Sequence, residues 1–116
     1  MKRVITILMS LFVSFSVNAQ LKDFVILGGE LSNSAATSVG DIDEVLPRMK
    51  ALGLNTVLVP VYWEFLEPYE GKLDFTLVDH TIDVARQKGL KIVPLWFGAW
   101  KNSLSCYAPA WFKRDV

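Results

Sequence analysis

Residues 55–61 read "NTVLVPV", a run rich in β-branched side chains and apolar nearly throughout. A strand with one wet face alternates apolar and polar residues. A continuous apolar run instead describes a strand covered on both faces, as in a parallel sheet. On its amino side, Ile42, Val45, Leu46, Met49 and Leu52 recur at helical spacing over residues 41–52, and Gly53 supplies the stop. On its carboxyl side, Thr76-Leu-Val-Asp79 resembles a capping box, Val78, Ile82 and Ala85 line one helical face, and Gly89 ends the pattern. Further strands are expected at Phe24–Leu27 and Leu90–Trp96. The resulting β-α-β-α-β order, with short connections, predicts right-handed crossovers and an α/β fold with a parallel sheet. Pro47 interrupts the first helical pattern at a cost of about 3 kcal/mol. The main helix is therefore expected to begin there, after a separate turn.

Two architectures fit that order: an open doubly wound sheet and part of a (β/α)8 barrel. An open sheet would suit a nucleotide, but "LGGELSNSAATSVG" has neither G-x-G-x-x-G nor G-K-[ST], and Glu30 stands where a phosphate would lie. The barrel accounts for where the unusual residues fall. Glu30 follows the first strand, Tyr62, Trp63 and Glu64 the second, and Trp96, Trp100, Lys101 and Asn102 the third. Each group is placed at the carboxyl end of its strand, where barrel enzymes keep their sites. Aromatic faces suit the apolar C–H faces of sugar rings, while carboxylate, ammonium and amide groups bond the hydroxyls. These residues are the candidate substrate-binding set for a carbohydrate, and the reading requires Glu30, Trp63 and Trp96 on one side of the sheet. Each also has a structural alternative. Trp63 and Trp96 could cap the core, and Glu67-Pro68 and Glu70-Gly71 could shape a turn.

Lys2 and Arg3 precede a nearly unbroken apolar run from Val4 to Val17, and Val17-Asn18-Ala19 leads to Gln20. This is a secretory signal pattern, with cleavage expected after Ala19. The run falls short of the roughly 20 apolar residues of a membrane span. Residues 1–19 are therefore assigned to the signal and 20–116 to the mature, exported chain, periplasmic or extracellular. Without Lys2 and Arg3, 10 basic residues face 12 acidic ones. No basic patch exists, so nucleic acid and anionic membrane lack the charge they would need. Cys106 is the single cysteine and His80 the single histidine. An internal disulfide is impossible, a Cys–His nucleophile is poorly founded, and no metal or other cofactor is expected.

"LPRMKALGLNTVLVPVYWEFLEPYEGKLDFT" followed by "VARQKGLKIVPLWFGAWKNSLSCYAPAWFKRD" resembles the start of glycoside hydrolase family 35, in its exported bacterial branch of β-galactosidases. The related family 42 has the same run, with Trp63, Glu67, Pro68, Gly71, Asp74 and Phe75 in the spacing W-x-x-x-E-P-x-x-G-x-x-D-F. The resemblance covers roughly residues 24–115 and implies a (β/α)8 barrel enzyme of the retaining type acting on β-galactosides or related plant or host glycans, hemicellulose side chains among them. Its two glutamates would be an acid/base after strand four and a nucleophile after strand seven, about 5 Å apart. Pro60 stands where better-known family 35 enzymes have a galactose-contacting tyrosine, and "PLWFGAWKNS" replaces their Arg-Pro-Gly-Pro-Tyr run. "WFGAWKNS" is thus expected to do that work here.

Neither catalytic glutamate is expected within these residues, because a barrel takes about 250 residues and the chain has 116. The chain is expected to be an amino-terminal portion with three strands and two to three helices, inactive alone. The competing expectation is a small exported carbohydrate-binding or interaction protein without catalysis.

Overall fold

A computed structural model describes residues 24–101 and 105–114. The expected signal segment lies outside the described residues. Three parallel strands, β1 (Gly28–Glu30), β2 (Thr56–Tyr62) and β3 (Lys91–Phe97), form one sheet in chain order. Between them run helix α1 (Val39–Ala51), a single helical turn α2 (Trp63–Leu66) and helix α3 (Thr76–Gln87), and a short α4 (Ala110–Lys113) follows β3. β2 and β3 each sit one residue later than their expected positions.

Helices α1 and α3 pack beside each other over one face of the sheet. Ile42 and Leu46 from α1, and Val84 and Ala85 from α3, close on Val57 and Val59 of β2. Helix α1 runs unbroken through Pro47, against expectation. Full burial of an aliphatic side chain yields roughly 1.5–3 kcal/mol, and Ile42 and Leu46 are both 0% exposed. Together they outweigh the missing hydrogen bond at the proline. The start of α1 is also well tied: the Ser38 hydroxyl accepts from the Asp41 N–H at 3.1 Å, and the Asp41 carboxylate accepts from the Thr37 hydroxyl at 2.7 Å. Hydrogen bonding to its carboxylate, from Thr37 foremost and then Ser38, holds the Asp41 carboxyl below its ordinary range. Asp43 of α1 reaches the His80 ring of α3 at 2.7 Å.

Helix α3 begins at Thr76 with Phe75 in the cap position, one residue before the expected cap. The cap residue itself makes no side-chain bond, and the Asp74 carboxylate just before it accepts from the Thr76 N–H at 2.9 Å. β1 also lies later than Phe24–Leu27. That apolar stretch stays exposed and is bound by the Asn55 side chain, whose amide donates to the Val25 carbonyl and accepts from the Leu27 N–H. The amide thus stands in for a ladder before true pairing begins at Gly28 and Thr56.

Two strand prolines are accommodated by direction. Leu31 N–H donates to the Leu58 carbonyl, so residues 58 and 60 aim their backbone polar groups toward the β1 side, beyond the end of β1. Lys91 N–H donates to the Asn55 carbonyl. Residues 91, 93, 95 and 97 therefore face β2, and Pro94 faces the outer edge. Neither Pro60 nor Pro94 costs the β2–β3 ladder a bond.

Candidate functional site

The register pairs Glu30 with Leu58, Val61 with Trp96 and Tyr62 with Phe97, so the carboxyl ends of the strands lie along one edge of the sheet. Side-chain alternation then divides the candidates between its two faces. A Cβ on Gly29 would meet the side chains of Leu54 and Met49, so Gly29 looks toward α1 and Glu30 looks away. Ile92 and Pro94 line an apolar crevice of about 70 Å³ against Leu77, Val78 and Ile82 of α3. Trp96, two residues on, stands on that helix-covered face, opposite Glu30. The required common side therefore holds for the end of the sheet and not for its face. Phe97, which the sequence reading passed over, is the β3 aromatic on the Glu30 face. Its pairing with Tyr62 could have been anticipated once the strand was set one residue later.

Tyr62 is buried and sits among Phe65, Phe97 and Tyr107, with ring centroids 5.3, 5.6 and 5.3 Å away. Burial pushes its phenol up to about 12, against a small opposing effect from the Ala36 backbone. Among the described residues its hydroxyl has no partner of hydrogen-bond geometry. Tyr62 is thus a packed aromatic in this arrangement, withdrawn from the surface where a ligand would lie.

The segment after β2 closes on itself. Trp63 Nε1 donates to Glu67 Oε2 at 2.8 Å, and the Gly71 N–H donates to Glu67 Oε1 at 2.8 Å. Gly71 adopts φ +70°, a conformation that favours glycine. The Asp74 N–H returns to the Leu66 carbonyl at 2.8 Å. The bonds from Trp63 and Gly71 hold the Glu67 carboxyl below its ordinary range. The W-x-x-x-E-P-x-x-G-x-x-D spacing is therefore the specification of one loop, which agrees with the turn-shaping alternative for Glu67. The Trp63 ring lies 5.0 Å from Phe112 and 5.8 Å from Trp111, so its faces are occupied by protein. Glu64 faces Lys113 at 3.6 Å and borders an open cleft of about 360 Å³ together with Thr37, Ser38 and Asp74.

After β3, Trp96 and Trp100 are exposed at 57% and 72%. The Lys101 ammonium sits 4.8 Å from the centre of the Phe97 ring, a cation–π contact. Asn102 lies outside the described residues. The backbones of Lys101 and Ser105 exchange both hydrogen bonds, and Tyr107 N–H donates to the Gly98 carbonyl at 3.2 Å. Trp111, another residue the sequence reading passed over, donates from its indole to the Glu67 carbonyl at 2.9 Å. At this end of the sheet Glu30 and Trp100 are thus exposed and Lys101 partly so, while Trp96 is exposed on the helix-covered face and Glu64 is half-buried beside Lys113. Among the described residues, no group of three His, Cys, Asp or Glu side chains is placed to hold a metal, and no helix is long and apolar enough to cross a membrane.

The solved structures that this chain resembles resolve the choice between open sheet and barrel. An exo-β-1,4-mannosidase, Op5Man5, from Opitutaceae bacterium strain TAV5 superposes with a TM-score of 0.59 at 29% identity, over 76% of this chain and 17% of that one. The catalytic domain of a β-amylase from Paenibacillus polymyxa gives 0.53 at 17% identity, over 77% of this chain and 23% of that one, a likeness of fold alone. The sheet is thus part of a (β/α)8 barrel, with three of its strands described. Among curated proteins, the exo-β-D-glucosaminidase of Pyrococcus horikoshii is 35% identical over 71 residues, 52% of this chain and 9% of the relative. The "Probable beta-galactosidase B" of Sclerotinia sclerotiorum is 29% identical over 93 residues, 59% of this chain and 9% of that protein. The chain therefore spans about a tenth of the length of these relatives. The model of glycoside hydrolase family 42, described as β-galactosidase, matches residues 36–114. That stretch takes in the closed loop after β2, the third strand and the Trp111 segment, and by it this chain belongs to glycoside hydrolase family 42.

Proposed function

We propose that the chain forms part of a retaining glycoside hydrolase acting on β-galactosides, with Glu30, Trp100 and Lys101 on the wall of the sugar pocket. The observation that carries this reading is the parallel register, which aligns the strand ends along one edge. An aromatic ring, a carboxylate and an ammonium group there supply both kinds of contact a sugar needs, apolar surface and hydrogen bonds. Trp96 would reach the same pocket only from the other face of the sheet, and Asn102 completes the proposed set. The acid/base and nucleophile lie outside residues 1–116 on this reading, so the chain alone binds sugar and does not turn it over. The names of its relatives span galactose, glucosamine and mannose chemistry. The preference for galactose rests on the family description.

Export belongs to the same proposal. The apolar run before Ala19 and the likeness of "WFGAWKNS" to the exported family 35 branch support a periplasmic or extracellular setting, with residues 1–19 removed. Titration calorimetry of the chain with galactose, glucosamine and mannose, beside a nitrophenyl β-galactoside assay, tests the reading. Galactose is expected to bind tightest, with no turnover. Absence of binding to all three sugars would sink it.

A further inference from the structure

We propose that Trp63, Glu67 and Trp111 are positioning residues: together they latch the segment after β3 onto α2 and so set the place of Trp100 and Lys101. The inference rests on the sugar-pocket reading for its functional part, and its structural part stands apart from that reading. Four separate contacts join the two rim segments. The Trp111 indole donates to the Glu67 carbonyl at 2.9 Å, and the Glu64 N–H donates to the Tyr107 carbonyl at 2.8 Å. The Lys113 ammonium faces the Glu64 carboxylate, and the Trp63 ring lies against Trp111 and Phe112.

Glu67 is the hinge pin of this arrangement. Its carboxylate fixes the Trp63 ring from one side and the Gly71 turn from the other, while its own carbonyl receives Trp111. The hold passes onward through the backbone. Tyr107 N–H reaches the Gly98 carbonyl, and the reciprocal pair between Lys101 and Ser105 continues to the residues beside Trp100. Ala108 and Pro109, between these two attachments, are buried. An exposed ring such as Trp100 has little packing of its own to define its place, so its position depends on the backbone beneath it. A side chain can thus govern sugar contact without touching sugar.

Amide hydrogen exchange and galactose titration on the full chain test this with two variants. Glu67→Ala should speed exchange at the Lys101, Ser105 and Tyr107 amides at least tenfold while leaving Ile42 and Val84 unchanged. Glu67→Gln, whose amide oxygen can still accept from Trp63, should recover part of that protection and shift the Trp63 indole proton resonance. Trp111→Phe, which keeps one aromatic ring but loses the N–H together with the five-membered half of the indole, should also loosen Tyr107 and weaken galactose binding several-fold. Unchanged exchange in both Glu67→Ala and Trp111→Phe overturns the latch. Faster exchange with wild-type galactose affinity overturns the positioning role. If the unaltered chain binds no galactose, the sugar-pocket reading falls, and exchange alone then decides the latch.

Discussion

Residues 63–75, after β2, and residues 98–101, after β3, leave the same edge of the sheet but are held in different ways. The first segment is bonded largely within itself: Trp63 and the Gly71 N–H donate to the Glu67 carboxylate, the Asp74 N–H donates to the Leu66 carbonyl, and the Asp74 carboxylate accepts from the Thr76 N–H. The second has its support from elsewhere, through Tyr107 and the Lys101–Ser105 pair, and leaves Trp100 at 72% exposure. The contrast teaches that a recognisable spacing of residues and an available chemical surface are different things. Here the spacing that marks the family builds a rigid loop, while the side chains free to meet a ligand stand in the plainer stretch beside it.

Substitutions can break or sharpen that contrast. The largest effect is expected from Trp63→Ala, which removes the ring between Trp111 and Phe112 and frees Glu67. Trp63 is only partly buried, so the loss should fall near or below the low end of the range for buried aromatics, about 3 kcal/mol by urea unfolding. Next comes Gly71→Ala. A Cβ there meets no atom within 4 Å, so the penalty is the backbone conformation alone, about 1–2 kcal/mol. Smaller still is the response to acid. The Glu67 and Asp74 carboxyls are held below their ordinary values by bonds present only in the folded chain. Their contribution is complete above the unfolded-chain values of 4.5 and 3.8 and is lost as the pH falls through the lower folded values. Glu67→Gln should therefore flatten the acid limb of stability measured by thermal melts between pH 3 and pH 6. The smallest effect on stability belongs to Trp100→Ala, within about 0.5 kcal/mol, yet that variant should lose galactose affinity. If Trp100→Ala costs as much stability as Trp63→Ala, the distinction between the two segments fails.

Much of the architecture was legible in the residues, for physical reasons that also explain the errors. "NTVLVPV" announced a doubly covered strand because burial on both faces leaves no room for polar alternation, and β2 with its partner β3 sits within one residue of the expected span. One residue is nonetheless decisive in a strand. It moved Phe97 into the place assigned to Trp96 and set Trp96 on the other face. Pro47 misled because its local cost was weighed without the tertiary gain of Ile42 and Leu46, which only the packed sheet reveals. The strand expected at Phe24–Leu27 failed because composition cannot show that the Asn55 amide takes over the pairing there. Trp63 read as a candidate sugar-facing ring and Glu67 as a turn former, and their partners Trp111 and Gly71 could be assigned only once the chain was folded.

The outward-facing Pro94 has a consequence for what can join this molecule. An extended segment pairing on the side of β3 away from β2 finds backbone donors at Ile92 and Trp96 and a gap between them, a separation of about 13 Å at roughly 3.3 Å per residue. A newcomer that is to remain must tolerate one missing bond in mid-span, so the border selects its neighbour instead of accepting any.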